Sequence, residues 1–157
     1  PRFSFRDIFP GGFTPQFGQT TEDASLVGGI RGAFASELSY DVSLNYGQNR
    51  AEYLITNTVN PSLGPASPTS FRPGALEQRE LTFNFDLSYP WEVGLATPLN
   101  VAAGLEFHRE TYEVFLGDFA SRQVGPFASF VDPDTGLPGG LPVGSNGFPG
   151  FNEIAAG

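Results

Sequence analysis

The chain has 157 residues, a net charge of −9 and no cysteine. This length suffices for one domain with a core, while the lack of cysteine excludes a disulfide framework and a thiolate metal site, and the acidic charge argues against a nucleic-acid partner. With 20 Gly, 14 Pro and 16 Phe, the composition favours an all-β protein with long loops over a helical bundle. No apolar run is long enough for a transmembrane helix.

The first two predicted strands span about residues 25–34 and 38–57. In the first, Leu26, Ile30 and Phe34 share one face. In the second, apolar and polar residues alternate with the period of two that typifies a strand with one apolar face. The apolar positions of this second strand are Leu38, Tyr40, Val42, Leu44 and Tyr46.

The third predicted strand, about residues 77–89, has the clearest alternation. Its odd positions from Leu81 to Tyr89 are all apolar, and its even positions from Thr82 to Ser88 are all polar. The nine residues reach the lower bound of the roughly 9–11 that a tilted strand needs to cross a bilayer. The fourth strand, about 99–114, repeats the pattern with Leu, Val, Ala, Leu and Phe at odd positions 99–107.

The connections between these strands alternate in length. A tight turn around 35–37 and a short connection over 90–98 alternate with long tracts over about 58–76 and 115–157, both rich in Gly and Pro. Short turns at one end and long loops at the other are typical of a transmembrane barrel. The predicted fold is therefore all-β, an antiparallel up-and-down meander forming a segment of a transmembrane β-barrel with long outer loops. The pattern alone leaves a soluble sandwich open, because its apolar face could pack on a second sheet.

Several stretches of the sequence resemble the barrel domain of TonB-dependent outer-membrane receptors. They read YDVSLNYG at 40–47, NPSLGPASPTSF at 60–71, LNVAAGLEF at 99–107, RETY at 109–112 and GFPGF at 147–151. The resemblance covers most of the chain, and the order and spacing of its motifs carry it. It implies a bacterial outer-membrane protein that imports a scarce nutrient, such as siderophore-bound iron, cobalamin or an oligosaccharide.

The resemblance also implies the partners: outer-membrane lipid, a small-molecule nutrient and the TonB system. No plug domain and no TonB box are recognisable, and the family's barrels have about 22 strands whereas four or five fit here. We therefore expect one partial barrel domain over 1–157, a fragment whose coupling to TonB lies in parts of the parent protein.

Four side chains in the predicted outer loops are candidate ligand contacts: Phe71, Arg72, Phe148 and Phe151. Loops on a rigid barrel are where ligand contacts are placed, and aromatic and Arg side chains are good anchors. The competing interpretation is that these residues pack the loops onto one another.

Other clusters favour structural roles. His108 shares a face with Glu106 and Glu110, but charged groups lining a lumen need no metal, so we predict neither a metal site nor a cofactor. The segment 132–136 resembles the start of a calcium loop but lacks the later acidic ligand, which favours a turn. Gly28-Gly29 and Gly139-Gly140 lack the context of a phosphate loop.

No catalytic residues are predicted, because the single His has neither a nucleophile nor oxyanion donors beside it. The receptor interpretation has two rivals. One is a soluble all-β binding or adhesion module, and the other is a passive porin-type barrel.

Overall fold

The computed structural model describes residues 3–145 and is built almost entirely of strands. Four long strands form one sheet in the order β1-β2-β3-β4: β1 (Gln16–Ala33), β2 (Ser39–Thr56), β3 (Ser70–Trp91) and β4 (Leu99–Leu116). Two short strands, β5 (Phe130–Val131) and β6 (Pro138–Gly139), pair antiparallel in a separate small sheet. The remaining elements are short 3₁₀ segments at Phe5–Asp7, Pro61–Ala66 and Phe119–Ser121, and the second of these is kinked at Gly64. The predicted all-β, antiparallel meander is confirmed.

Two strands begin earlier than the sequence indicated. β1 starts at Gln16 and β3 at Ser70, whereas alternation first appeared near 25 and 77. Apart from Phe17 and Ala24, residues 16–24 of β1 are polar or Gly, so they lack a period-two signal. The start of β3 contains Pro73 and Gly74, which read as loop residues in sequence; Gly74 adopts a positive φ of 146° there.

The connection between β1 and β2 is a tight turn. The N–H of Phe34 donates to the Leu38 carbonyl at 2.9 Å, and the N–H of Glu37 donates to the Phe34 carbonyl at 2.9 Å. Glu37 has a left-handed φ of 65°. The connection between β3 and β4 covers 92–98 and uses Gly94 at a φ of 79°. Both connections lie at the same end of the meander, called here the short-turn end.

The chain divides into two compact units. The loop unit comprises Pro1–Glu22, Arg50–Glu77 and Glu113–Gly157, and the hairpin unit comprises Asp23–Asn49 and Gln78–Tyr112. The buried apolar side chains of the described residues all belong to the loop unit: Ile55, Val59, Leu63, Phe71 and Ala75. The structure describes every residue of the hairpin unit, and none of them is buried.

Side-chain contacts within the hairpin unit fix the register of its strands. Asn49 Nδ2 donates to Asp23 Oδ1 at 2.6 Å, which sets β1 against β2. Thr82 Oγ1 lies 3.0 Å from His108 Nδ1, which sets β3 against β4. Asn49 on β2 and Gln78 on β3 line one cleft together, so with the period of two these contacts define two faces. The apolar face carries the even positions of β1 and β2 and the odd positions of β3 and β4, and the polar face carries the others.

Candidate functional site

The predicted ligand contacts differ in where the structure places them. Phe71 is only 1% exposed and belongs to the core of the loop unit, so it packs the loops, which is the competing role considered above. Arg72 is exposed, and its Nη1 donates to Glu52 Oε1 at 2.6 Å. Phe148 and Phe151 lie outside the described residues. A ligand contact therefore stays a prediction for all four, and for Phe71 it would require the loops to open.

The backbone around Arg72 is tied to the segment after β4. The N–H of Arg72 donates to Asp118 Oδ2 at 2.6 Å, and the N–H of Asp118 donates to the Arg72 carbonyl at 2.7 Å. Gly117 packs so closely that a Cβ there would collide with the Arg72 carbonyl. Arg72 thus sits on a braced backbone with its guanidinium at the surface, which is a suitable arrangement for contacting a ligand.

Asn60 is the centre of a buried hydrogen-bond network in the loop unit, and sequence reasoning did not identify it. Its Nδ2 donates to the carbonyls of Ala120 and Gln123, both at 2.9 Å. Its Oδ1 accepts from Ser62 Oγ at 2.7 Å and from the N–H of Gly144 at 3.2 Å. Asn60 is fully buried. One side chain therefore joins three separate loop segments.

The segment that resembled a calcium loop is a turn. Asp132 Oδ1 accepts the N–H groups of Asp134 at 2.8 Å and Thr135 at 3.2 Å. These two backbone donors lower the pKa of the Asp132 carboxyl. The carboxylate closes the connection between β5 and β6, with Gly136 at a φ of 71°.

The polar face of the hairpin unit carries paired polar side chains along β3 and β4. His108 Nδ1 lies 3.0 Å from Thr82 Oγ1 and 3.6 Å from Glu80 Oε1. Gln78 Nε2 donates to Glu110 Oε1. Among the described residues, no group of three acidic or His side chains converges in a way that could hold a metal ion.

A groove of about 590 Å³ opens on this polar face towards the short-turn end. Charged side chains flank it: Arg31 on β1, Asp41 on β2 and Asp86 on β3. Its floor includes small residues such as Ala102 and Gly104, and a Cβ at Gly104 would collide with the Asp86 carboxylate. On β4, small residues of the polar face alternate in the sequence with larger apolar residues of the other face. The short side chains leave room on the polar face, so the groove follows from the strand pattern.

The opposite, apolar face of the hairpin unit is exposed. Leu105, for example, is 62% exposed and Trp91 is 55% exposed. The large side chains exposed on this face are Leu26, Ile30, Leu44, Tyr46, Tyr89, Trp91, Leu99, Val101, Leu105 and Phe107. The polar face exposes Val27 and Tyr112. A patch of this extent on one side of a sheet marks an interaction surface.

Charge is also divided between the two faces. On the strands of the hairpin unit, the apolar face carries two charged residues, Arg79 and Arg109, by the period of two. The polar face carries six acids, which are Asp23, Asp41, Glu80, Asp86, Glu106 and Glu110, against Arg31 and His108. The two faces therefore present different chemistry to whatever lies against them.

The two glycine pairs have structural positions. A Cβ at Gly29 would lie 2.8 Å from the Val42 carbonyl oxygen, so β1 approaches β2 closely there. At Gly140 a Cβ would collide with the Ala128 carbonyl oxygen. One glycine of each pair thus lies at a close approach of two backbone segments, and neither pair opens a helix.

Compared with known protein families and with curated proteins, the chain matches none of them. Within residues 3–145, no helix has the length and apolar character needed to cross a membrane.

Proposed function

We propose that this chain forms an arc of the wall of a transmembrane β-barrel, in an outer-membrane receptor of the TonB-dependent class that imports a scarce nutrient. The observation that carries the proposal is the two-faced hairpin unit, with one exposed apolar face and one acidic, grooved polar face. A barrel wall needs this division, because lipid covers one side of it and the aqueous lumen wets the other.

The extent of the apolar stripe supports the proposal. On β3 it runs from Leu81 to Tyr89, which is about 26 Å along a strand at roughly 3.3 Å per residue. The strands of outer-membrane barrels tilt by about 35–45°, so this length covers about 20 Å of an apolar band that is about 25 Å tall. Tyr89 and Trp91 lie at its short-turn end, and aromatic side chains of this kind favour the level of lipid headgroups.

The sheet edges support an arc within a larger closed wall. β1 and β4 are the outer strands of the four-stranded sheet, so each leaves one row of backbone groups without a partner strand among the described residues. Unpaired edges are costly in a bilayer, and closure with further strands removes them.

The nutrient-binding role rests on the resemblance and on the loop unit. Its loops are packed around Phe71 and hydrogen-bonded through Asn60, and they hold Arg72 at the surface. A rigid cluster that presents an Arg is a suitable anchor for an acidic or hydroxyl-rich nutrient.

A matched pair of substitutions on β4 tests the barrel assignment. Ala102 lies on the polar face and Ala103 on the apolar face. An Arg in lipid costs about 2–4 kcal/mol at the midplane and less near the interface. We expect A103R in the parent protein to lower the equilibrium constant for folding into phosphatidylcholine vesicles about 30-fold, which corresponds to about 2 kcal/mol, and A102R to fold like the wild type. A 157-residue chain that is monomeric and folds cooperatively in water without vesicles would instead indicate the soluble module.

Uptake by the parent protein separates a receptor from a passive porin. Labelled ferric siderophore, cobalamin and oligosaccharide would be offered to cells producing it, with and without an uncoupler of the proton gradient. For a TonB-dependent receptor, uptake of one of them stops with the uncoupler. Uptake that continues unchanged would assign a porin instead.

A further inference from the structure

Arg122 is a half-buried cation of the loop unit, and none of the described acidic side chains forms an ion pair with it. Its Nε is buried and has no hydrogen-bond partner among residues 3–145. The chain carries 17 acidic residues against eight basic ones, so a cation without an acidic partner is unexpected. A charged group that leaves water costs free energy unless a partner compensates it.

The contact that Arg122 makes is with an aromatic ring. Its Cζ lies 5.3 Å from the centroid of the Phe119 ring, which is within the range of a cation–π interaction. Phe119 is 62% exposed, so its ring offers an apolar surface beside the guanidinium. Val124, two residues after Arg122, is exposed as well. The segment thus presents a positive group together with exposed apolar side chains.

Hydrogen bonds inside the loop unit hold this segment in place. Asn60 Nδ2 donates to the carbonyls of Ala120 and Gln123, which lie on either side of Arg122 in the sequence, and both distances are 2.9 Å. Before the segment, Asp118 Oδ2 accepts a backbone N–H of β3 at 2.6 Å, so this carboxylate is already engaged. A site that is held in place before its ligand arrives loses less conformational freedom on binding.

We propose that Phe119 and Arg122 form a binding site for an organic anion, in which a carboxylate is attached to a planar apolar body. The carboxylate accepts hydrogen bonds from the Nη groups of Arg122, because guanidinium and carboxylate groups match in geometry. The planar body stacks on the exposed ring of Phe119. This inference rests on the proposed function, because it names the chemistry of the nutrient that the loop unit holds.

The charge of the chain favours an organic anion over an inorganic one. A net charge of −9 repels every free anion. An anion that binds therefore needs an attraction besides the guanidinium, and the apolar contact with Phe119 supplies it. Inorganic phosphate has no apolar part, so it gains nothing from this ring.

The test measures the binding of naphthoate, a planar aromatic carboxylate, to the full 157-residue chain in detergent micelles. Amide chemical shifts of residues 118–123 report binding at the site. We expect R122Q to weaken binding at least about tenfold, because it removes charge-assisted hydrogen bonds. F119L should weaken binding about fivefold, because it removes the aromatic stacking. R122K keeps the charge without the planar fork, so it should weaken binding less than R122Q does.

Two matched variants control for charge and for exposed aromatic surface. R6Q makes the same change in charge within the loop unit. F17L replaces a Phe of the loop unit that is 63% exposed, close to the exposure of Phe119. Both variants should bind naphthoate like the wild type.

Hydrogen exchange verifies that each variant folds. The N–H groups of Gly125 and Phe127 donate to Ser62, so they should exchange slowly wherever the loop unit is formed. If R122Q loses this protection, R122K takes its place and should bind naphthoate several-fold more weakly than the wild type. A wild-type chain in which both N–H groups exchange freely would lack the loop unit, and the site would be overturned with it.

The other outcomes separate the site from the receptor. Binding that R122Q or F119L leaves unchanged would overturn the site, as would an equal loss in R6Q and R122Q. Inorganic phosphate that binds as tightly as naphthoate would also overturn it, because Phe119 would then contribute nothing. A wild-type chain that binds no naphthoate overturns this inference alone, since the barrel is tested by folding into vesicles. Failure of that vesicle test, with naphthoate still bound at residues 118–123, would remove the receptor and keep the site.

Discussion

At the residue scale, a few side chains hold the loop unit together. Asn60 uses its amide to bridge segments that are 60 and 84 residues apart along the chain. Its partner Ser62 accepts the N–H of Gly125 at 3.0 Å, and the Ser62 carbonyl accepts the N–H of Phe127 at 2.9 Å. A buried network of this kind is valuable only when each polar group has a partner. The loops therefore depend on individual residues more than on a large apolar core.

We expect N60A to destabilise this network. Removal of one buried partner leaves several N–H and C=O groups unsatisfied, at a cost of about 1–3 kcal/mol each before relaxation. A net loss of about 2 kcal/mol would speed proteolytic cleavage between residues 117 and 145 about 30-fold, if cleavage follows the population of opened loops. The measurement is limited proteolysis followed by mass spectrometry.

N49A is the matched control, because Asn49 makes one exposed hydrogen bond, to Asp23 at 2.6 Å. Exposed bonds of this kind contribute little, so its cleavage rate should stay close to that of the wild type. Equal rates for the two variants would mean that the Asn60 network does not hold the loops.

At the element scale, β3 combines two functions along one strand. Its first part, with Phe71 and Ala75 buried, supports the loop unit. Its later part alternates between the two faces of the hairpin unit and ends at Trp91. The first part of β3 packs into a core, whereas its later part has a different environment on each face. This difference explains why the sequence of β3 changes from a Pro- and Gly-containing start to strict alternation.

Trp91 is the single Trp of the chain, so its fluorescence reports on one site. It is exposed on the apolar face at the short-turn end. On addition of phosphatidylcholine vesicles we expect its emission to shift to the blue, because the indole leaves water for the interface. Bromine atoms near the lipid headgroups should quench it more than bromine atoms near the chain ends.

The W91F variant removes this signal and gives the background of the Tyr residues. An emission maximum that does not move while the chain floats with the vesicles would contradict the orientation of the apolar face. If bromine atoms near the ends of the lipid chains quench Trp91 most strongly, the short-turn end would lie deeper in the bilayer than the headgroup level, which contradicts the expected orientation.

At the scale of the whole molecule, the exposed faces and open edges of the sheet determine in which surroundings the chain is stable. The hairpin unit has no buried residue, so its stability comes from backbone pairing and cross-strand contacts and from whatever covers its faces. A two-sided sheet with open edges is a poor independent domain in water. This is the physical reason why we propose that it belongs to a membrane wall.

The rates of backbone amide hydrogen exchange should distinguish the inner strands of the sheet from the outer ones. In the isolated chain in detergent micelles, the inner strands β2 and β3 have neighbours on both sides, whereas β1 and β4 have one each. We expect peptides from β2 and β3 to exchange several-fold more slowly than those from β1 and β4. In the parent protein, closure of the wall should slow β1 and β4 to the level of the inner strands.

Mass spectrometry of peptides from the same digestion of both proteins gives this comparison directly. If β1 and β4 exchange as fast in the parent protein as in the isolated chain, they are true edges and the wall does not continue beyond them.

The sequence by itself determined the meander and the identity of its two faces. Alternation at Leu81–Tyr89 and at 99–107 follows from the fixed period of a strand, which is local and visible in any single segment. The tight turn near Glu37 and the turn that Asp132 closes follow from local chemistry as well. These features depend on neighbours in sequence, so they could be predicted.

Only the tertiary structure decided what depends on partners distant in sequence. Burial of Phe71 and the network of Asn60 require the loops after β2 and β4 to meet, and no local pattern specifies that meeting. The early starts of β1 and β3 were missed because pairing with β2, and not alternation, makes them strands. The proximity of Thr82 and His108 arises from register, which no single segment specifies. Sequence alone could give only the face on which each lies.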